Sequence, residues 1–169
     1  MKIRALSAVT VLTLAGVIAK AQGAGAAGEY AKHFDALSKL SVAVAQAMPA
    51  EQYGFRPHPE SMDFGQLMWH IATINYQFCA GLKDAKTPDL PSPTEKAGFV
   101  KFLSDSFEYC SGVIAGLSEE QLKKAHDSPD GLLPGREVLL AMYVHVAHRR
   151  GQAEIYLREK GIKPPSYRI

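Results

Sequence analysis

"HVAHRRGQAEIYLREKGIKPP" runs from His145 to Pro165. It reads as the C-terminal half of a long helix. Gly161 stands where a left-handed stop is wanted, and Pro164-Pro165 cannot continue the helix. Backwards, the same helix reaches to near Arg136, and it ends at Lys160. His145 and His148 lie three positions apart. At about 100° per residue they sit about 60° apart around the axis and can share a face.

Outward from this stretch the chain is a series of helical stripes separated by proline and glycine. Glu29 to Met48 carries Tyr30, Phe34, Leu37, Leu40, Val44 and Met48 at helical spacing. "PAEQYGFRPHPESM" breaks that pattern. A second helix spans Asp63 to about Leu82, opened by an Asp63/Gln66 capping box. Leu67, His70, Ile71, Ile74 and Phe78 fall on one side of it. "KDAKTPDLPSP" is a loop, and Ser92-Pro93-Thr94-Glu95 is read as the start of the third helix. Ser118 with Gln121 caps a short helix to about Ala125, and "HDSPDGLLPG" is read as a loop. No strand alternation of useful length and no internal repeat is evident. Four main helices of about 18–25 residues, joined by loops long enough for crossovers, make an all-α four-helix bundle with an additional short helix.

The N-terminus has a different character. Lys2 and Arg4 precede an uncharged, mostly apolar run from Ala5 to Ala19, and Ala19-Lys20-Ala21 offers the small residues a signal peptidase reads. The expectation is a signal peptide over residues 1–21 and a mature bundle domain over residues 22–169, secreted or periplasmic. The alternatives are an uncleaved anchor, for which the run falls short of the ~20 residues of a membrane span, and cleavage at Ala24-Gly25-Ala26. The segment holds three of the basic residues and no acid, so its loss turns a formal charge of +2 slightly negative. The basic balance is thus no argument for nucleic acid. Once the segment is cleaved, no membrane contact is expected either.

Cys79 and Cys110 are the two cysteines. In an oxidising compartment they are a candidate disulfide, favoured over two small buried thiols. No C-x-x-C spacing or adjacent positive charge marks either as reactive.

Bundle cores build metal sites from side chains facing each other on different helices. His70, in "LMWHIA", with His145 and His148 could form a three-nitrogen site for zinc, nickel or another late divalent ion. The competing reading is that of histidines satisfied inside a core. His33, His58 and His126 look like helix-surface or loop residues without a role. Glu154 and Glu159 are ordinary exposed helix residues, with Glu154 placed to pair with Arg158. Trp69 and Tyr76 could wall a pocket or simply pack the core. There is no Gly-rich phosphate loop, no G-x-S-x-G elbow and no H-E-x-x-H.

Two passages resemble the DinB/YfiT-like superfamily. "FRPHPESMDFGQLMWHIATINYQFC", Phe55 to Cys79, is similar to that family's "FRP…SFGEL…H" entry into helix two. "HVAHRRGQAEIYLREKGIKPP" is similar to its "HxxHHRGQ…YLR…G…PP" ending. The resemblance implies a bundle, often dimeric, with a divalent metal on three histidines. His70 matches the first ligand and His145 the second. The third should immediately precede Arg150-Gly151-Gln152, and that position is Arg149. A guanidinium about 6 Å from a dication costs on the order of 5 kcal/mol at an effective dielectric near 20. Either His148 replaces the missing ligand, or the site is altered.

Three functional expectations follow. The first is an exported metal-dependent protein, a hydrolase or transferase of open class. Its metal on His70, His145 and His148 would activate a water or thiol for a small-molecule substrate. The second is a non-catalytic bundle whose pocket, with Arg149 and Gln152, takes a small anion. The third is a purely structural protein. A homodimer is expected from the resemblance.

Overall fold

The computed structural model describes residues 26–166, and the expected signal and its cleavage after Ala21 lie outside them. Helix α1 covers Ala26–Ala47, α2 Phe64–Leu82, α3 Lys96–Ala115, α4 Glu119–Lys123 and α5 Gly135–Glu159. A single 3-10 turn, Ala50–Gln52, follows α1. The four long helices form the bundle. Helix α3 packs on α1 and α2, and α5 packs on the same two from the other side. The connection from α1 to α2 therefore crosses the bundle, and α2 and α5 become neighbours although about fifty residues separate them.

The caps explain the boundaries. Asp63 accepts from the Gln66 amide while the Gln66 side chain accepts from Asp63 N–H, and Ser118 with Gln121 does the same for α4. Gly161 has φ +72°, as the stop after α5 requires. Helix α3 starts later than Ser92-Pro93 suggests. Its N-cap is Glu95, which makes no side-chain capping bond. Here the cap-like sequence signature is present, but the residues 92–94 remain extended loop.

"HDSPDGLLPG" is not a plain loop. Ala125–Ser128 and Gly131–Pro134 are strands β1 and β2 of an antiparallel hairpin, registered Ala125↔Pro134 to Ser128↔Gly131. Ser128 Oγ donates to the Gly131 carbonyl and Gly131 takes φ +100°, which closes the turn. The hairpin is too short for a legible alternation, so contacts with the bundle hold it. His126 is buried rather than at a surface: its Nε2 lies 2.8 Å from the Gln121 carbonyl and its Nδ1 3.3 Å from Asp84. A side chain at Gly81 would meet the Asp127 carbonyl at 1.9 Å, so only glycine lets β1 lie this close to α2.

The core is one apolar cluster. Phe34 of α1 packs on Phe107 of α3 and on Tyr143 of α5 at ring separations of 5.4 and 5.6 Å. Cys79 of α2 and Cys110 of α3 are joined by a disulfide, and both are fully buried in that cluster. Trp69 and Tyr76 serve packing. Trp69 donates to the Pro91 carbonyl, and Tyr76 stacks on Phe102. Among the described residues, no helix is long and apolar enough to cross a membrane.

Candidate functional site

His70 stands in the middle of α2 and His145 in the middle of α5. The crossover makes these helices neighbours, and the two Nε2 atoms come to 3.0 Å of each other, with the rings edge to face. At that distance one nitrogen carries the proton and the other accepts it, so the accepting ring is neutral. The surroundings agree. Burial, and then the Arg149 charge, push His70 below its ordinary value. Burial first, then His70, Arg149 and His148, push His145 down to about 4. The Nδ1 of His145 is buried with no partner.

His148 is not part of this pair. Its side chain lies on the exposed side of α5, and the Gln152 amide nitrogen sits 3.2 Å from its Nε2. The carbonyl end of the same amide accepts from Arg149 Nη1 at 3.3 Å. Gln152 thus points its oxygen at Arg149 and its nitrogen at His148, holding the two apart. Arg149 is partly buried, and its Nε is buried without a partner. Its neighbour differs: Arg150 pairs with Glu154 at 2.6 Å. Glu154 is only 18% exposed, and Arg158 is its more distant partner at 3.8 Å, so this acid is more enclosed than its place on the helix suggests.

The residues present do not fit a three-histidine metal centre in this geometry. Two nitrogen ligands of a tetrahedral ion at about 2.05 Å are separated by about 3.3 Å, close to the His70–His145 spacing. A third ligand is missing, because His148 faces outward and Arg149 occupies the inward position. Among the described residues, no group of three or more His, Cys, Asp or Glu side chains is gathered to hold a metal ion. The unpartnered Nδ1 also lacks the acceptor that usually orients a metal-bound imidazole.

Beside Arg149 opens a cleft of about 370 Å³, walled by Ser61, Met62, Leu67, Gln152, Ile155 and Tyr156, with Glu60 also on its wall. A larger cleft of about 900 Å³ lies between α1 and α3 and touches none of His70, His145 and Arg149. Gln152 was legible in sequence only through its place in "RRGQ". Nothing in the sequence marked Ser61, Met62 or Tyr156 as walls, since they come from segments that meet only through the crossover.

A bundle of four long helices with a crossing first connection defines a fold class, and the comparisons agree with that fold. The chain belongs to the DinB superfamily, whose model matches residues 33–153. It is 24% identical to the Bacillus subtilis protein YjoA over 134 residues, 76% of this chain and 87% of that one. The crystal structure of YjoA superposes with a TM-score of 0.72, covering 83% of this chain and 98% of that one. A DinB-like protein of Bacillus cereus is 18% identical with a TM-score of 0.70, covering 81% and 94%. A conserved Enterococcus faecalis protein, also 18% identical, superposes at 0.64 over 77% and 94%. At these identities the likeness speaks for the fold.

The neutral imidazole pair has a consequence for stability. The pKa of His145 is lowered from 6.5 to about 4, so between those values the unfolded chain binds a proton that the folded chain refuses. The contribution is complete above pH 6.5 and is lost as pH falls towards 4, by roughly 3 kcal/mol in all. Urea midpoints across that range should fall accordingly in the wild type. They should flatten in His145→Gln; an equal slope in both would remove His145 as the cause.

Proposed function

We propose that this chain is an exported, non-catalytic bundle whose pocket binds a small anion, a carboxylate or phosphate, on Arg149. One observation carries the reading. The Arg149 guanidinium is partly enclosed, has no carboxylate partner among the described residues, and lines a cleft of ligand size. A planar donor fork in such a place suits two oxygens of an anion. His70 and His145 stay neutral beside it and add one shared hydrogen bond rather than a second charge. Glu60 on the wall favours an anion that also carries a donor. Export rests on the basic, apolar and small-residue pattern of residues 1–21, and the buried disulfide suits an oxidising compartment.

A second reading keeps a zinc or nickel ion on His70, His145 and His148. The 3.0 Å spacing of the Nε2 atoms favours it, but it requires His148 to leave Gln152 and turn inward. Titration calorimetry with inorganic phosphate and with citrate, beside elemental analysis, separates the readings. The anion reading expects binding that weakens roughly 10- to 100-fold in Arg149→Gln and is indifferent to chelator. Near-stoichiometric metal that disappears in His145→Ala would favour the metal reading instead. Binding of neither anion nor metal would leave a structural role.

A further inference from the structure

Two opposite charges line the cleft beside α5 without meeting. Glu60 and Arg149 both stand on its wall, yet neither has an ion pair among the described residues. Every other described arginine holds an acid: Arg56 pairs with Asp63, Arg136 with Glu119, and Arg150 and Arg158 with Glu154. Arg149 instead gives Nη1 to the Gln152 carbonyl. The guanidinium keeps donors to spare, and the Glu60 carboxylate keeps acceptors.

The chain segment that carries Glu60 is set by its own bonds. Arg56 reaches Asp63 at 3.1 Å, Ser61 N–H donates to the His58 carbonyl at 2.9 Å, and Glu60 N–H donates to His58 Nδ1 at 3.3 Å. The cleft lies between this loop and α5, which supplies Arg149, Gln152, Ile155 and Tyr156. Tyr156 commits its hydroxyl to the Met62 carbonyl at 2.9 Å. Its ring, Met62 and the half-exposed Ile155 then make the apolar part of the wall.

We propose, resting on the reading of Arg149 as an anion site, that the guest of this cleft is a free α-amino acid with an aliphatic or thioether side chain. Its carboxylate lies on Arg149, its ammonium on Glu60, and its side chain against Met62, Ile155 and Tyr156. A plain anion would bring its charge towards the Glu60 carboxylate, and like charges repel. A zwitterion makes that carboxylate a partner instead. The volume limits the guest. About 370 Å³ is near the low end for ligand clefts, which suits one residue rather than a peptide.

Titrations of the full exported protein, followed by amide chemical shifts, test this with L-leucine, glycine, isocaproate and inorganic phosphate. L-leucine should bind at least about 10-fold more tightly than isocaproate, which is leucine without its ammonium. It should also bind at least about 10-fold more tightly than glycine, which lacks the side chain. Glu60→Gln, at an exposed position, should erase the preference for leucine over isocaproate and leave phosphate bound at least as well as before. Arg149→Gln should weaken leucine and phosphate alike. If phosphate binds but leucine binds no better than isocaproate, the amino-acid assignment falls while the anion site stands. The same holds if Glu60→Gln leaves the leucine preference intact. If none of these probes shifts the amides of the cleft, the anion site itself falls and the assignment with it.

Discussion

Replacing Arg149 with histidine should raise the affinity of the bundle for zinc by at least about 100-fold. Position 149 lies one helical turn after His145 and, at about 100° per residue, about 40° around the axis from it, on the inward face. The arginine there lowers both His70 and His145 by its charge. The substitution removes that charge and adds a third nitrogen beside two Nε2 atoms already 3.0 Å apart. Loss of a hydrogen-bond partner behind a metal ligand alone costs about 10- to 100-fold in affinity, so gain of a ligand should match or exceed that. Elemental analysis should find close to one zinc per chain in Arg149→His, and much less in Arg149→His/His70→Ala. If the single variant gains no zinc over wild type, Arg149 is not what keeps the metal out.

Breaking the Cys79–Cys110 disulfide should have the largest effect on stability of any change away from the pocket. The bond joins α2 to α3 across a loop of 31 positions. Closing a loop of that length in the unfolded chain is worth about 4 kcal/mol in the chain-entropy account. For a domain of this size that corresponds to about 10 °C in melting temperature. Both sulfurs are fully buried, and Met142 Sδ of α5 lies 3.6 Å from Cys79 Sγ, so the bond also sits where three helices meet. Cys79→Ala/Cys110→Ala should keep its helical spectrum at 20 °C and melt about 10 °C lower. A melt within two or three degrees of wild type would mean that the bond adds little beyond the packing around it.

The pocket shows where sequence reading succeeds and where it stops. His70 and His145 were legible as facing histidines because a helix repeats its face every three to four residues. The apolar stripes on both helices then state which side is inward. His148 looked equally eligible. It shares a face with His145 to within about 60°, and only the neighbouring helix decides which of the two directions is inside. The Gln152 amide, split between Arg149 and His148, settles that choice in a way no spacing rule expresses. Glu154 is a related case: its pairing with Arg158 holds, but it is less exposed than its place on the helix suggests. Its sequence neighbours offered Arg158, while packing enclosed it with Arg150.

The hairpin is a second instance. Strands of four residues carry too little alternation to be seen against loop composition, and "SPDG" signals a turn without saying what flanks it. His126 became a buried residue because the hairpin folds onto α2, where Gly81 leaves room for the Asp127 carbonyl. That fit is a matter of two distant segments touching.

By itself, then, the sequence determined the long helices, the capping boxes of α2 and α4, the stop at Gly161 and the all-α class, together with the candidate pairing of Cys79 with Cys110. These depend on local backbone preferences and on the period of apolar residues, which nearby positions carry. Tertiary structure alone decided that α2 and α5 are neighbours, that His70 meets His145 while His148 faces water, and that Arg149 stands at the edge of a cleft. These depend on a chain crossing and on side chains more than seventy residues apart. Their energies exist only once the bundle has brought the two helices together.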